Sequence, residues 1–133
     1  MKKFVSRILL PLMACLMLVA CGAPSSLEEI LTSDAAVAET EKAKEDLLSQ
    51  YSDTYSDYAM EVTGNNLTYK YYYVEELSAS ADDLKAALEA ESSWSDLINQ
   101  TKDEIEKTAK IRPETVTFAY YTADGTEIFS VTE

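Results

Sequence analysis

The hydrophobic rhythm of this chain changes four times. An uncharged apolar run, Ile8 to Val19, comes first and is interrupted only by Pro11. Its twelve residues fall short of the about 20 that a membrane-spanning helix needs. A helical rhythm follows. Ser26 with Glu29 fits a capping box, so Leu27 to Leu31 is predicted to open as a helical turn. Ser33 or Asp34 then caps a second start. Ala36, Val37, Thr40, Ala43, Leu47, Leu48 and Tyr51 recur at three- and four-residue intervals on one helical face. Ser52 to Asp57 reads as the exit loop.

The third rhythm is strict alternation. Met60, Val62, Leu67, Tyr69, Tyr71 and Tyr73 alternate with Glu61, Thr68, Lys70 and Tyr72, with Gly64-Asn65-Asn66 in the middle. Such residues accept the positive φ of tight hairpin turns. A Gly64-Asn65 turn pairs Val62 with Leu67 and Met60 with Tyr69. An Asn65-Asn66 turn moves the register by two and keeps the same faces. Helical spacing then returns after a second capping box, Ser80 with Asp83. Leu84, Ala87, Leu88, Trp94, Ile98, Thr101, Ile105 and Thr108 form one stripe. Ser92-Ser93 leaves open whether this is one helix or two, and Arg112-Pro113 ends it, because proline disfavours helical geometry at the preceding residue. A last alternating segment sets Val116, Phe118 and Tyr120 against Thr115, Thr117 and Ala119, with Asp124-Gly125 marking a turn. A two-residue loop pairs Tyr120 with Phe129 and Phe118 with Val131. A three-residue loop with a bulged Gly125 pairs Tyr120 with Ile128 and splits the apolar set less cleanly.

The order is α-β-β-α-β-β. It predicts an α+β two-layer sandwich: two β-hairpins forming one four-stranded antiparallel sheet, with two helices on one face. The other face stays wet. By alternation it carries Glu61, Thr68, Lys70, Tyr72, Thr117, Tyr121 and Ile128. Tyrosine, with an apolar ring and a polar tip, suits contact surfaces, so Tyr72, Tyr121, Thr117 and Lys70 are the candidate binding face. Tyr and Thr are also good strand formers in their own right.

Charge narrows the range of partners. The chain carries 11 basic and 24 acidic residues and no histidine, for a net charge of −13. Such acidity argues against nucleic acid and against lying flat on anionic lipid, both of which reward Lys and Arg. It favours solubility or a cationic partner.

The N-terminus accounts for the first apolar run. Lys2, Lys3 and Arg7 precede it, as in the positive n-region of an export signal. Leu18-Val19-Ala20-Cys21 then resembles the lipobox of bacterial lipoprotein precursors. The resemblance implies that the Cys21 sulfur receives a diacylglycerol and that the bond before it is cut. The domain is then held by acyl chains (the palmitate type included) at the extracytoplasmic face of the cell membrane. Cys15, behind Leu12-Met13-Ala14, is a weaker alternative that leaves a very short apolar run. The expected organisation is a signal peptide at 1–20, lipidated Cys21 and a tether over 21–26, and a single domain at 27–133. Cleavage would remove three of the basic residues and none of the acidic ones, leaving a side-chain charge of −16. With Cys15 lost and Cys21 alkylated, no internal disulfide is possible. The fold must then rest on packing.

The hairpin Val62-Thr63-Gly64-Asn65-Asn66-Leu67-Thr68-Tyr69 and the closing Tyr121-Thr122-Ala123-Asp124-Gly125-Thr126-Glu127-Ile128 resemble a group of small lipoproteins of Gram-positive anaerobes. Their shared domain has no assigned function. The resemblance implies a surface lipoprotein and carries over no catalytic residue.

Chemistry is sparse. Without histidine, the commonest general base near neutral pH and most zinc sites are excluded. No serine sits in a Gly-x-Ser-x-Gly elbow or a Ser-x-x-Lys motif. Three glycines supply no phosphate-cradling loop. Asp53, Asp57 and Asp124 lack the spacing of a calcium loop. Asn66-Leu67-Thr68 and Asn99-Gln100-Thr101 match a glycosylation acceptor that needs a eukaryotic secretory route. Neither a cofactor, a metal nor an enzymatic activity is expected. The leading reading is an extracytoplasmic interaction module, anchored through Cys21, with a protein, peptide or glycan partner and no nucleic acid. The alternative is an envelope enzyme built on carboxylates alone, with Asp82-Asp83 or Glu75-Glu76 as its acids. Both pairs also sit where a helix start or strand end would be acidic anyway.

Overall fold

A computed structural model describes residues 26–133. Both alternating segments fold as hairpins: β1 (Tyr55–Thr63) with β2 (Asn66–Tyr73), and β3 (Thr115–Tyr121) with β4 (Glu127–Thr132). The first pair has Val62 opposite Leu67 and Met60 opposite Tyr69, which is the Gly64-Asn65 turn. Gly64 carries a φ of 61°, as a turn with glycine at its first central position requires. In the second pair Phe118 faces Val131 and Tyr120 faces Phe129, as a two-residue loop would give. The Thr122 amide bonds to the Thr126 carbonyl, however, so the loop is the three residues 123–125, with Gly125 at φ 92°. A bulge in β4 restores the pairing.

The four strands form one sheet in the order β1-β2-β3-β4. The all-antiparallel expectation is corrected at its centre, where β2 and β3 run parallel. The physical reason is the connection between them. The Val74 amide bonds to the Thr54 carbonyl at one end of the sheet, and the Glu114 amide bonds to the Asn65 carbonyl at the other. The helical segment therefore carries the chain back along the full length of β2, and a strand that starts again from the same end can only run parallel.

The helices are also more numerous than the two expected. Five are present among the described residues: α1 (Leu27–Leu31), α2 (Asp34–Gln50), α3 (Glu75–Ser78), α4 (Ala81–Ala90) and α5 (Trp94–Ala109). Ser26 and Ser33 cap α1 and α2 through their hydroxyls, each accepting from an amide at 3.3 Å. Ser80 makes no such bond. The long stripe breaks between α4 and α5 because Glu91 captures Ser93, accepting from its hydroxyl at 2.6 Å and its amide at 3.1 Å. Trp94 ties the two pieces together by donating Nε1–H to the Leu88 carbonyl at 2.8 Å. The end of α5 comes before Pro113, with Lys110 in the left-handed region at φ 64°.

Two bulges adjust the faces. An extra residue between Tyr55 and Asp57 starts β1 inside the stretch expected to be loop, and it turns both Tyr55 and Tyr58 into the core. In β4 the ladder steps from Tyr120–Phe129 to Tyr121–Glu127, leaving Ile128 unpaired. Ile128 is thereby buried in the core, not displayed on the wet face as expected.

The core is unusually rich in tyrosine. Tyr71 and Tyr120 stack at 5.1 Å between ring centroids, Tyr69 and Phe118 at 5.4 Å, and Trp94 lies 6.0 Å from both Phe118 and Tyr120. Leu27, Ile30 and Leu31 of α1, Leu47 of α2, Leu84 and Leu88 of α4, and Ile98 and Ile105 of α5 join the same cluster. Among the described residues, the Tyr73 hydroxyl is buried with no hydrogen-bond partner, and burial pushes its phenol well above the ordinary value. Removing an unsatisfied buried hydroxyl relieves a desolvation cost without breaking a bond. Tyr73→Phe is therefore expected to raise unfolding stability by about 1 kcal/mol. Thermal denaturation of the two proteins side by side checks this.

Candidate functional site

The outer sheet face is built by alternation on four strands. Each inward tyrosine on β2 leaves its neighbour pointing out, so Thr68, Lys70 and Tyr72 share one side with Thr117, Ala119 and Tyr121 of β3. The parallel register sets Thr68 beside Thr117, Lys70 beside Ala119, and Tyr72 beside Tyr121. All four candidate residues (Tyr72, Tyr121, Thr117 and Lys70) thus come together on one half-buried surface. An antiparallel β2–β3 pair would have kept the two tyrosines on the same face but at opposite ends of it.

The tyrosine rings lie 5.0 Å apart between centroids, tilted by 32°. Lys70 Nζ sits 5.7 Å from the Tyr121 ring centroid and 2.6 Å from Glu61 Oε1. The Glu61 hydrogen bond, ahead of other influences, raises the Lys70 pKa and keeps the ammonium charged. Partial burial raises the Tyr121 phenol, with Lys70 pulling the other way. Thr117 and Thr132 share a hydrogen bond of 2.7 Å between their hydroxyls.

Two charged residues of this face were not expected from the sequence. Asp57, placed in a loop by that reading, pairs across from Tyr72 and accepts a salt bridge of 3.1 Å from Lys44 of α2. The parity running back from Glu61 through Ala59 to Asp57 was the available signal. Glu127 stands opposite Tyr121 through the β4 bulge, for which the sequence offered none. The upper row of the face therefore reads Asp57, Tyr72, Tyr121, Glu127.

The carboxylate pairs considered for acid–base chemistry lie elsewhere. Asp82 and Asp83 are exposed on the first turn of α4, and Glu75 and Glu76 are exposed on α3. Two grooves each hold a pair of acids. One, of about 390 Å³, is lined by Glu75, Ser78, Thr122, Asp124 and Thr126. The other, of about 500 Å³ between α1, α2 and β1, is lined by Leu31, Val37, Glu41, Met60, Glu61 and Val62. In each groove one acid is already engaged. Asp124 accepts from the Thr122 and Thr126 hydroxyls and the Thr126 amide, which hold its carboxyl below the usual range. Glu61 is bonded to Lys70. The lowered pKa of Asp124 is the reverse of what a proton-donating acid requires. No group of three His, Cys, Asp or Glu residues that could hold a metal occurs among the described residues.

Cys21, with the tether up to Ser25, lies outside the described residues. No described helix is long and apolar enough to cross a membrane. The chain enters the fold at the hairpin tip, where Asn65 Oδ1 accepts from the Leu27 amide at 2.9 Å and the Gly64 amide donates to Glu28 at 2.8 Å. Residues 27–132 match a family described as a domain of unknown function, DUF4854. Comparison with curated proteins and with solved structures finds no match.

Proposed function

From the premise that this chain belongs to the DUF4854 family, we propose that it is a lipoprotein interaction module, anchored through Cys21 on the extracytoplasmic face of a Gram-positive anaerobe's membrane, with the outer sheet face as its contact surface. The observation that carries the binding reading is the juxtaposition of Tyr72 and Tyr121, 5.0 Å apart on a face whose large rings remain only half-buried. A sheet face that needed only solubility would be served by Thr, Lys and Glu. Aromatic residues supply contact area at low conformational cost, and they dominate the energetics of interfaces. The anchor reading is supported by the Lys2, Lys3 and Arg7 cluster, the twelve-residue apolar run and the Leu18-Val19-Ala20-Cys21 order.

A carboxylate-only enzyme is the lesser reading. It is weakened by Asp124 and Glu61, the acids in the two grooves that are already committed to neighbours.

Crosslinking in intact cells, followed by purification of the anchored protein, tests the contact surface. Tyr72→Ser/Tyr121→Ser is expected to lose its captured partner while keeping the wild-type circular dichroism spectrum and melting cooperativity. Equal capture by the variant would remove this face as the site.

A further inference from the structure

The upper row of the outer face has a composition that specifies more than contact. Two aromatic rings lie at its centre, with Asp57 at one end and Glu127 at the other. We infer, resting on the reading of this face as a contact surface, that the row Asp57–Tyr72–Tyr121–Glu127 seats lysine or arginine side chains of an extended basic segment on a partner protein.

Three observations converge on this chemistry. The face already holds one cation against a ring: Lys70 Nζ is 5.7 Å from the Tyr121 centroid, within the roughly 6 Å over which a cation is attracted to an aromatic face. Lys70 is committed to Glu61, on the side of Tyr121 toward the Thr68–Thr117 row. The carboxylates of the upper row are more available. Glu127 is exposed, and Asp57, also exposed, accepts from the Tyr58 amide at 2.8 Å and from the half-buried Lys44 at 3.1 Å, a single partly exposed ion pair that a ligand cation can displace.

Spacing is the second point. Adjacent strands lie about 4.8 Å apart, so the row spans about 14 Å from β1 to β4, with its aromatic midpoint about 7 Å from either end. In an extended peptide, residues two apart are separated by about 6.7 Å and residues four apart by about 13 Å. A segment laid across the strands with cations at positions one, three and five places its outer charges at Asp57 and Glu127. Its central cation then falls over the tyrosine pair.

The third is exclusion by charge. At a net charge of −13, a second copy of this chain is repelled, as are nucleic acid and an anionic lipid surface. A basic partner is steered toward the domain by the same field.

The test is isothermal titration of the detergent-solubilised full chain at physiological salt with three probes. These are a blocked Arg-Ser-Arg-Ser-Arg peptide, its permutation Arg-Arg-Arg-Ser-Ser, and a chitin tetrasaccharide. The alternating peptide is expected to bind, the permuted one to bind more weakly, and the sugar not at all. Tyr72→Ser/Tyr121→Ser should weaken the alternating peptide by about tenfold. Equal affinity for the two peptides, or no change in the double variant, would mean attraction by bulk charge alone and overturns the inference. Binding of the sugar without the peptide also overturns it, while leaving this face as a contact surface. Persistence of in-cell capture by the double variant would remove the face itself.

Discussion

Cys21→Ala is expected to abolish incorporation of labelled palmitate and to leave residues 1–20 attached. If Cys21 is the lipidated residue, its loss removes both the sulfur that forms the thioether and the residue at which the signal is cut. The effect is large because the acyl chains are the whole anchor in this account. Each buried methylene contributes about 0.8 kcal/mol, and two chains hold stably where one binds only marginally. No described helix offers a substitute, and the acidic domain has little attraction of its own for anionic lipid. Cys15→Ala, in the same labelling experiment, should incorporate palmitate normally. Label retained in Cys21→Ala and lost in Cys15→Ala would move the anchor to the earlier cysteine. An unlabelled wild type would end the lipoprotein reading.

The second large effect separates two neighbours in the chain. Tyr120 is 1% exposed, stacked 5.1 Å from Tyr71 and 6.0 Å from Trp94 on the inner face of β3. Tyr121 is the next residue and points the other way. Truncating a buried aromatic costs about 3–5 kcal/mol, through lost burial and the cavity left behind. That is a large share of the about 5–15 kcal/mol that holds a domain folded. Tyr120→Ala should therefore unfold most of the protein or bring its denaturant midpoint close to zero. Tyr121→Ala should cost about 1 kcal/mol or less, since it leaves no cavity in the core. Equilibrium urea unfolding of the pair reads the difference directly. Similar losses for the two variants would mean that the faces of β3 are assigned wrongly.

How much of this could be read in the sequence depended on the range of the interaction involved. Local rules held. Ser26 and Ser33 cap their helices, Gly64-Asn65 makes the first turn, and the Tyr120–Phe129 pairing follows from gathering apolar groups on one side. These outcomes are decided within a few residues, where sterics and hydrogen bonding leave few choices. The direction of β3 against β2 is decided by where a 41-residue helical connection delivers the chain, and no local pattern encodes that. The bulges at Ser56 and Ile128 were hidden for a different reason. An inserted residue shifts the phase of alternation, and Ile128 reads equally well on either face until the ladder around Tyr121 is known. The helix break at Glu91 was half legible. Ser92-Ser93 flagged it, but the capture of Ser93 by a side chain two residues earlier settled it.

The candidate site shows both sides of this. Parity alone put Tyr72, Lys70, Thr117 and Tyr121 on one face, under the wrong strand direction. The parallel register then set the two tyrosines next to each other, and the β4 bulge brought Glu127 beside them. The aromatic pair was thus foreseeable as a set of residues but not as a geometry. Its Asp57 end became visible only once β1 was seen to begin at Tyr55.

The central claim is that partners meet this protein on the outer face of its sheet. A photoreactive phenylalanine analogue placed at Thr117, and in separate variants at Val37 beside the α1–α2–β1 groove and at Asp82 on α4, tests it in intact cells. A discrete crosslinked adduct is expected from the Thr117 position, absent from the other two. An adduct from Val37 or Asp82 with none from Thr117 would contradict it and place the contact on the helical side of the molecule.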